Sequence, residues 1–177
     1  MKRVALDFDC TQVADKVKVL RTKWESRSDK FPFFTLGKSA YLDGNSETYY
    51  QGAESTNLIM FGLFHDLYKE VAGKLSDHLG EWVVFNPKLA LPGFHIFPAD
   101  PKLLSVSGNW HLDSPHETLG LGDKDAHAFT IAVEMPTGGG GMDFRFGGDE
   151  DQYVEGDCRI TLQGHIVRDG KDLIMFW

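Results

Sequence analysis

His111 and Asp113 stand two residues apart in the stretch Trp110-His111-Leu112-Asp113, whose residue types read as a strand. Side chains alternate faces along a strand, so this imidazole and carboxylate share a face and can grip one metal ion. A second imidazole from elsewhere in the fold would complete a two-His-one-carboxylate triad, the donor set that leaves open positions on non-haem Fe(II). The ordinary alternative is a polar pair at a surface strand end.

The elements that must position such a pair come in two blocks. Thr11 is a candidate cap for a first helix, in which Val13, Val17, Leu20 and Trp24 recur at helical spacing. Residues 31–37 break that pattern, and residues 39–45 read as a turn-rich connection. The second helix is expected from Asn57 as N-cap to Gly80 at its C-terminal end. Leu58, Phe61, Phe64, Leu67, Val71, Leu75 and Leu79 would form its buried stripe. His65 and His78 ride on it as solvated or partly packed residues. After residue 80, short runs at 82–85, 94–97, 110–113, 129–135, 142–146, 159–167 and 172–177 are rich in aromatic and β-branched residues. Helices first and strands afterwards predict an antiparallel β structure buttressed by helices, and seven short strands suit a jelly roll. The glycine run 138–141 lies between two strands and reads as a hairpin turn, since a phosphate loop should open a helix.

Bulk properties narrow the class. At 177 residues the chain suits one domain that buries roughly two-thirds of its unfolded surface. A net charge of −8 argues against nucleic acid as the main partner, because phosphate binding needs a basic face. No apolar run reaches membrane-spanning length, and the first nine residues are too acidic for a signal peptide. Cys10 and Cys158 lie far apart without metal or redox spacing, which predicts reduced thiols and a cytoplasmic protein.

From Leu91 onward the order of features resembles the 2-oxoglutarate- and Fe(II)-dependent dioxygenases of the double-stranded β-helix fold. The matching pieces are Gly93-Phe94-His95-Ile96-Phe97, the His111/Asp113 pair, the apolar strand from Phe129, and a glycine-rich turn into Met142. The string from Tyr153 through Arg159-Ile160-Thr161-Leu162-Gln163-Gly164-His165 follows, and then a last strand ending in Trp177. Residues 33–37 and 91–97 also look like bacterial members of that superfamily, so the resemblance extends over nearly the whole chain. It implies a mainly β, α+β fold: a double-stranded β-helix (jelly roll, cupin-like) over residues 81–177, with a helical part, 1–80, packed on the barrel. It also implies Fe(II), 2-oxoglutarate as cosubstrate, and hydroxylation of a substrate with release of succinate and carbon dioxide. A basic residue, often helped by a hydroxyl, must then meet the far carboxylate of 2-oxoglutarate, because a buried carboxylate left unpaired is costly.

The resemblance admits two registers. In the first, His165 is the distal ligand beside His111 and Asp113, and Lys171 pairs with the cosubstrate. The gap from His165 to Lys171 is shorter than the family's usual spacing, and Arg168 is a weaker candidate for the same task. In the second, Arg159 and Thr161 are the basic-x-hydroxyl element, facing inward together. The family's distal histidine would then precede them, and nothing between Tyr153 and Arg159 can serve. That register implies a shortened, catalytically degenerate member acting as a binding or structural module. A cupin-like metal protein that does not use 2-oxoglutarate is a third reading.

Other side chains carry plainer expectations. His116 belongs to a loop near the site mouth, His127 precedes a strand, and His95 is a satisfied core histidine. Arg145 would meet a carboxylate substrate or face solvent. The substrate class expected is a small molecule or an amino-acid or protein side chain. Phe33, Phe34, Tyr41, Tyr49 and Tyr50 pack the barrel or line a cleft, and an exposed aromatic surface there would imply a homodimer.

Overall fold

The computed structural model describes residues 6–30, 32–43, 46–98, 115–135 and 159–177. Its elements are α1 (Val13–Val19), β1 (Glu25–Ser26), β2 (Phe34–Leu36), α2 (Ser46–Leu79), β3 (Val83–Phe85), β4 (Gly93–Phe97), α3 (Pro115–Thr118), β5 (His127–Glu134), β6 (Arg159–Asp169) and β7 (Asp172–Phe176). The strands expected at 110–113 and 142–146 and the glycine turn between 137 and 141 lie outside the described residues.

The seven described strands form one open, mostly antiparallel sheet, in which only β3 and β7 pair in parallel. The class is therefore mixed α and β, with the sheet largely in the second half of the chain. β6 is its organising strand. β5 takes one edge of β6 from Ile160 to Ile166, which leaves the other edge to be shared. β4 lies along Arg159–Gln163 and β7 along His165–Asp169 of that second edge, so the two short strands run end to end.

Trp177 closes the seam between them. Its backbone N–H donates to the Ala90 carbonyl, and its own carbonyl accepts from the Ala40 N–H and the Tyr49 hydroxyl. A Cβ added to Gly93 would come within 1.9 Å of the indole, so the ring occupies the place of a side chain at that position.

Each face of the sheet has its own cluster. Ile160, Leu162 and Ile166 of β6 join Phe94, Ile96, Leu173 and Met175 in the larger core, covered by Met60, Phe64, Leu67, Tyr68, Val71 and Leu75 of α2. Val167, Ile174 and Phe176 join Tyr49 and Ala53 from the start of the same helix in a smaller one. The backbone of α2 leaves helical geometry at Phe64, within the stretch that covers the larger cluster.

Several sequence expectations need correction. α2 starts at Ser46, well before the expected cap Asn57. Asn57 instead clasps a neighbouring loop, donating to the Leu89 carbonyl (2.8 Å) and accepting from the Leu91 N–H (2.9 Å). Phe64, Leu67, Val71 and Leu75 of the expected stripe are buried, but Leu58 is 80% and Phe61 42% exposed, and Met60 and Tyr68 are buried instead. The helix end is as expected, with Gly80 at φ +74° bonding back to the Ser76 carbonyl. α1 ends at Val19, so Leu20 and Trp24 fall outside it. The interrupted region 25–36 supplies β1 and β2, and His127 begins β5 where the reading places it before a strand. No helix among the described residues is long and apolar enough to cross a membrane.

Gly93→Ala is expected to destabilise the fold by about 1–3 kcal/mol, because the added methyl overlaps a fully buried ring. Gly73→Ala, in open space on α2, is expected to be neutral or stabilising by up to ~1 kcal/mol. Urea denaturation of the two variants checks both; equal stabilities would contradict the placement of Trp177.

Candidate functional site

The period-2 geometry of β6 separates its side chains into an apolar row and a polar row. Ile160, Leu162 and Ile166 enter the core. Arg159, Thr161, Gln163 and His165 project from the opposite face, yet Thr161, Gln163 and His165 are no more than 6% exposed. Polar groups are costly to desolvate, so a buried polar row on a strand is a site candidate in its own right.

Its surroundings are asymmetric. On the β4/β7 side the register sets an aromatic ring beside each polar residue: Phe97 opposite Arg159, His95 opposite Thr161, and Phe176 opposite His165. Gly93 lies opposite Gln163, and there the Trp177 indole substitutes for the missing side chain. The Arg159 guanidinium stacks 4.0 Å above the Phe97 ring centroid, and Phe33 stacks on the other side of the aromatic wall, 4.8 Å from Phe97. On the β5 side the residues opposite Thr161, Gln163 and His165 are Ala132, Thr130 and Ala128, all small and exposed. The polar row thus has a tall aromatic wall along one flank and a low, solvent-reached floor along the other.

His95 is the electrostatic centre of the wall. Its Nε2 lies 3.3 Å from the Tyr41 hydroxyl, its ring meets Phe33 edge-on at 5.1 Å, and Trp177 is 5.2 Å away. Burial pushes its pKa down to about 3, with the positive charges of Arg159 and Arg27 and the neighbouring His165 adding to the effect. His95 is therefore a neutral imidazole, donor on one nitrogen and acceptor on the other. Arg27 follows β1 and is held by both Asp43 carboxylate oxygens (2.9 and 3.2 Å), by Glu25 (3.1 Å) and by the Thr35 hydroxyl (2.7 Å). Thr35, on β2, stands opposite His95 in the ladder.

The sequence-predicted residues fall in distinct places. Arg159, Thr161 and His165 share the polar face of β6, with His165 six residues along the strand from Arg159. His111, Asp113 and Arg145 lie outside the described residues. Lys171 is exposed in the β6–β7 turn, at the opposite end of β6 from Arg159. Arg168 is a surface residue whose guanidinium bonds Asp125 and Glu81. His116 is buried in α3, which packs against β6, and His127 is exposed. His65 is half-buried beside Asp66 and His78 is exposed. Arg27, Thr35 and Trp177 were not legible as site residues. Their only sequence signals are the glycines at 37 and 93 that make room for the indole, and these acquire meaning once the chain is folded.

Among the described residues, no three His, Cys, Asp or Glu side chains gather as a metal-binding group. The polar face does suit an anion: it offers a guanidinium, a hydroxyl, a carboxamide and two imidazoles. The chain matches no protein-family model, no curated protein and no solved structure.

The depressed pKa of His95 fixes the sign of an acid effect. An unfolded histidine takes up its proton near pH 6.5, whereas folded His95 does so only near 3. Between those values the unfolded state binds more protons, so this contribution to stability is complete above 6.5 and is lost as pH falls toward 3. In an NMR titration the His95 ring signals should stay those of neutral imidazole down to about pH 4.5. An ordinary His95 midpoint near 6 would remove it from the buried face.

Proposed function

We propose that the protein is a non-haem Fe(II)- and 2-oxoglutarate-dependent oxygenase of double-stranded β-helix architecture, with the polar face of β6 as one wall of its pocket. The observation that carries this reading is the joint placement of Arg159 and Thr161 on a buried face. A guanidinium two residues from a hydroxyl, with a phenyl ring against its plane, is suited to a carboxylate in a dry site. That favours Arg159 over the exposed Lys171 as the partner of the cosubstrate's far carboxylate. The residue types of His111, Asp113 and His165 fit Fe(II), and His165 shares the face that carries Arg159.

The overall reaction converts R–H, 2-oxoglutarate and dioxygen to R–OH, succinate and carbon dioxide. Bound iron supplies the oxygen activation, and the rest falls to the chain's own residues. Arg159 and Thr161 bind and orient the cosubstrate. Phe97 covers one face of the guanidinium, and Phe33 stacks on Phe97. The low floor over Ala128, Thr130 and Ala132 leaves room for a small-molecule, amino-acid or protein side-chain substrate. A cytoplasmic location, supplying reduced iron and 2-oxoglutarate, accords with this chemistry.

The spacing of His165 favours a second reading. Six residues separate it from Arg159, about 20 Å of strand, which is longer than one 2-oxoglutarate molecule. If the pair cannot serve one ligand, the fold is a carboxylate-binding module without turnover.

Anaerobic titration of Fe(II) into protein with 2-oxoglutarate separates the two readings through the visible charge-transfer band of the chelate. The oxygenase reading expects a saturable band, abolished in Asp113→Ala and His165→Ala and retained in Lys171→Ala. Arg159→Ala should weaken 2-oxoglutarate binding roughly 10- to 100-fold, the worth of a charge-assisted hydrogen bond. A band that survives His165→Ala removes that residue from the iron. No band at millimolar cosubstrate leaves the binding module.

A further inference from the structure

Residues 58–64 of α2 read Leu58-Ile59-Met60-Phe61-Gly62-Leu63-Phe64, about two turns without a polar side chain. A helix that is apolar all round belongs in an interior. Here only Met60 and Phe64 reach the core, while Leu58, Ile59, Phe61 and Leu63 are exposed, Leu58 most of all. Gly62 lies among them, and a Cβ built on it would meet nothing within 4 Å. Glycine costs stability in a helix interior, and no packing among the described residues requires it at 62. The outward side of these two turns therefore has the shape of a contact: a projecting leucine and, one turn further on, bare backbone.

This face is complementary to itself. Leu58 and Gly62 are four residues apart and share one side of the helix. Let two copies pack antiparallel about a two-fold axis level with Met60. Residue 58 of each copy then comes level with residue 62 of the other, and Leu58 enters the space over the partner's Gly62. The charges agree with that pairing. Glu54 is exposed on the same flank of the helix as Phe61 and His65. The Phe61 and His65 rings meet edge-on at 4.8 Å, which keeps His65 on this flank across the break at Phe64. Like flanks adjoin in an antiparallel pair, so the Glu54 carboxylate lies beside the imidazole of the partner's His65. His65 Nδ1 is 3.3 Å from its own neighbour Asp66, which leaves Nε2 for the incoming carboxylate. A membrane is a poorer occupant, because Glu54 and Asp66 at the rim repel anionic headgroups.

We propose that α2 is a self-association surface: two copies of this chain pair antiparallel through residues 54–66, each Leu58 seated over the partner's Gly62 and each Glu54 beside the partner's His65. One short helix face buries less than about 1,200 Å² in total, which gives a reversible dimer with a dissociation constant on the order of 10 µM. The pairing does not depend on the cosubstrate reading. Arg159 and Thr161 project from the face of β6 opposite the one that α2 covers, so a dimer leaves them accessible.

The test is sedimentation equilibrium of the full chain from about 1 to about 200 µM, a range that brackets the expected constant. The expected result is a monomer–dimer equilibrium that disappears in Leu58→Lys, a change at an exposed position. Gly62→Leu then separates a fitted seat from general stickiness. Leucine is the better helix former and meets open space in the monomer, so the variant folds. It also adds apolar surface, which would strengthen an unspecific contact. Because it fills the seat of Leu58, dimerisation should instead weaken about tenfold or more. Gly73→Leu, equally open but outside the paired segment, should leave the constant unchanged. A dimer that Gly62→Leu strengthens or leaves alone overturns the proposal. So does a chain that stays monomeric throughout, and co-sedimentation of that monomer with phosphatidylserine vesicles would give the face to a membrane.

Discussion

Everything in the described fold hangs on the two edges of β6. A strand offers hydrogen bonds on both sides, and β6 spends one on β5 and divides the other between β4 and β7. An end-to-end arrangement of two short strands leaves a gap in the ladder where neither continues. The chain fills that gap with Trp177, whose ring needs the glycine at 93 and whose backbone bonds reach the Ala90 and Ala40 segments. Remove the seam, and β4 and β7 lose their common alignment, and with it the facing of aromatic rings against polar side chains.

That facing explains how a polar row survives burial. A row holding a guanidinium, a hydroxyl, a carboxamide and an imidazole is expensive to take out of water. The aromatic wall lowers the cost by giving the guanidinium a π face and by staying uncharged itself, since His95 is held neutral. Arg27 brings a further positive charge near the row, but it is matched by Asp43 and Glu25. The result is a largely dry surface in which the charge of Arg27 is matched by its own carboxylates and His95 carries none. Stability is drawn from the opposite face of the same strand, where Ile160, Leu162 and Ile166 meet the apolar turns of α2.

How much of this the sequence discloses depends on whether a signal is local. The alternation from Arg159 to His165 is legible because strand periodicity alone assigns faces, and the end of α2 is legible because Gly80 adopts the left-handed conformation that closes a helix. The start of α2 is not. Asn57 has the chemistry of a cap, but its carboxamide is used on the loop at Leu89–Leu91, a contact made across more than thirty residues. Leu58 and Phe61 fit a helical stripe by spacing, but the partner surface selects Met60 and Tyr68. β1 and β2 are too short to show a period, and exist because β4 offers an edge to pair with. Trp177 as a site residue is invisible for the same reason: only the end-to-end meeting of β7 and β4 brings it beside His95.

The same geometry bears on the choice between the two registers for the carboxylate partner. Lys171 sits in a turn whose neighbours Gly170 and Asp172 are exposed, so its ammonium is hydrated and a carboxylate there would remain in water. The attraction between such a pair is small, because solvent screens it and both ions keep their hydration. Arg159 is at the other end of β6, where Phe97 covers one face of its guanidinium and Thr161 is the next residue on its side. An ion pair made there replaces water on both partners at once, with planar geometry already imposed by the ring. A site that must hold an anionic cosubstrate while excluding water from chemistry needs the second environment. On that argument the carboxylate partner we propose is Arg159, with Thr161 beside it, in preference to Lys171.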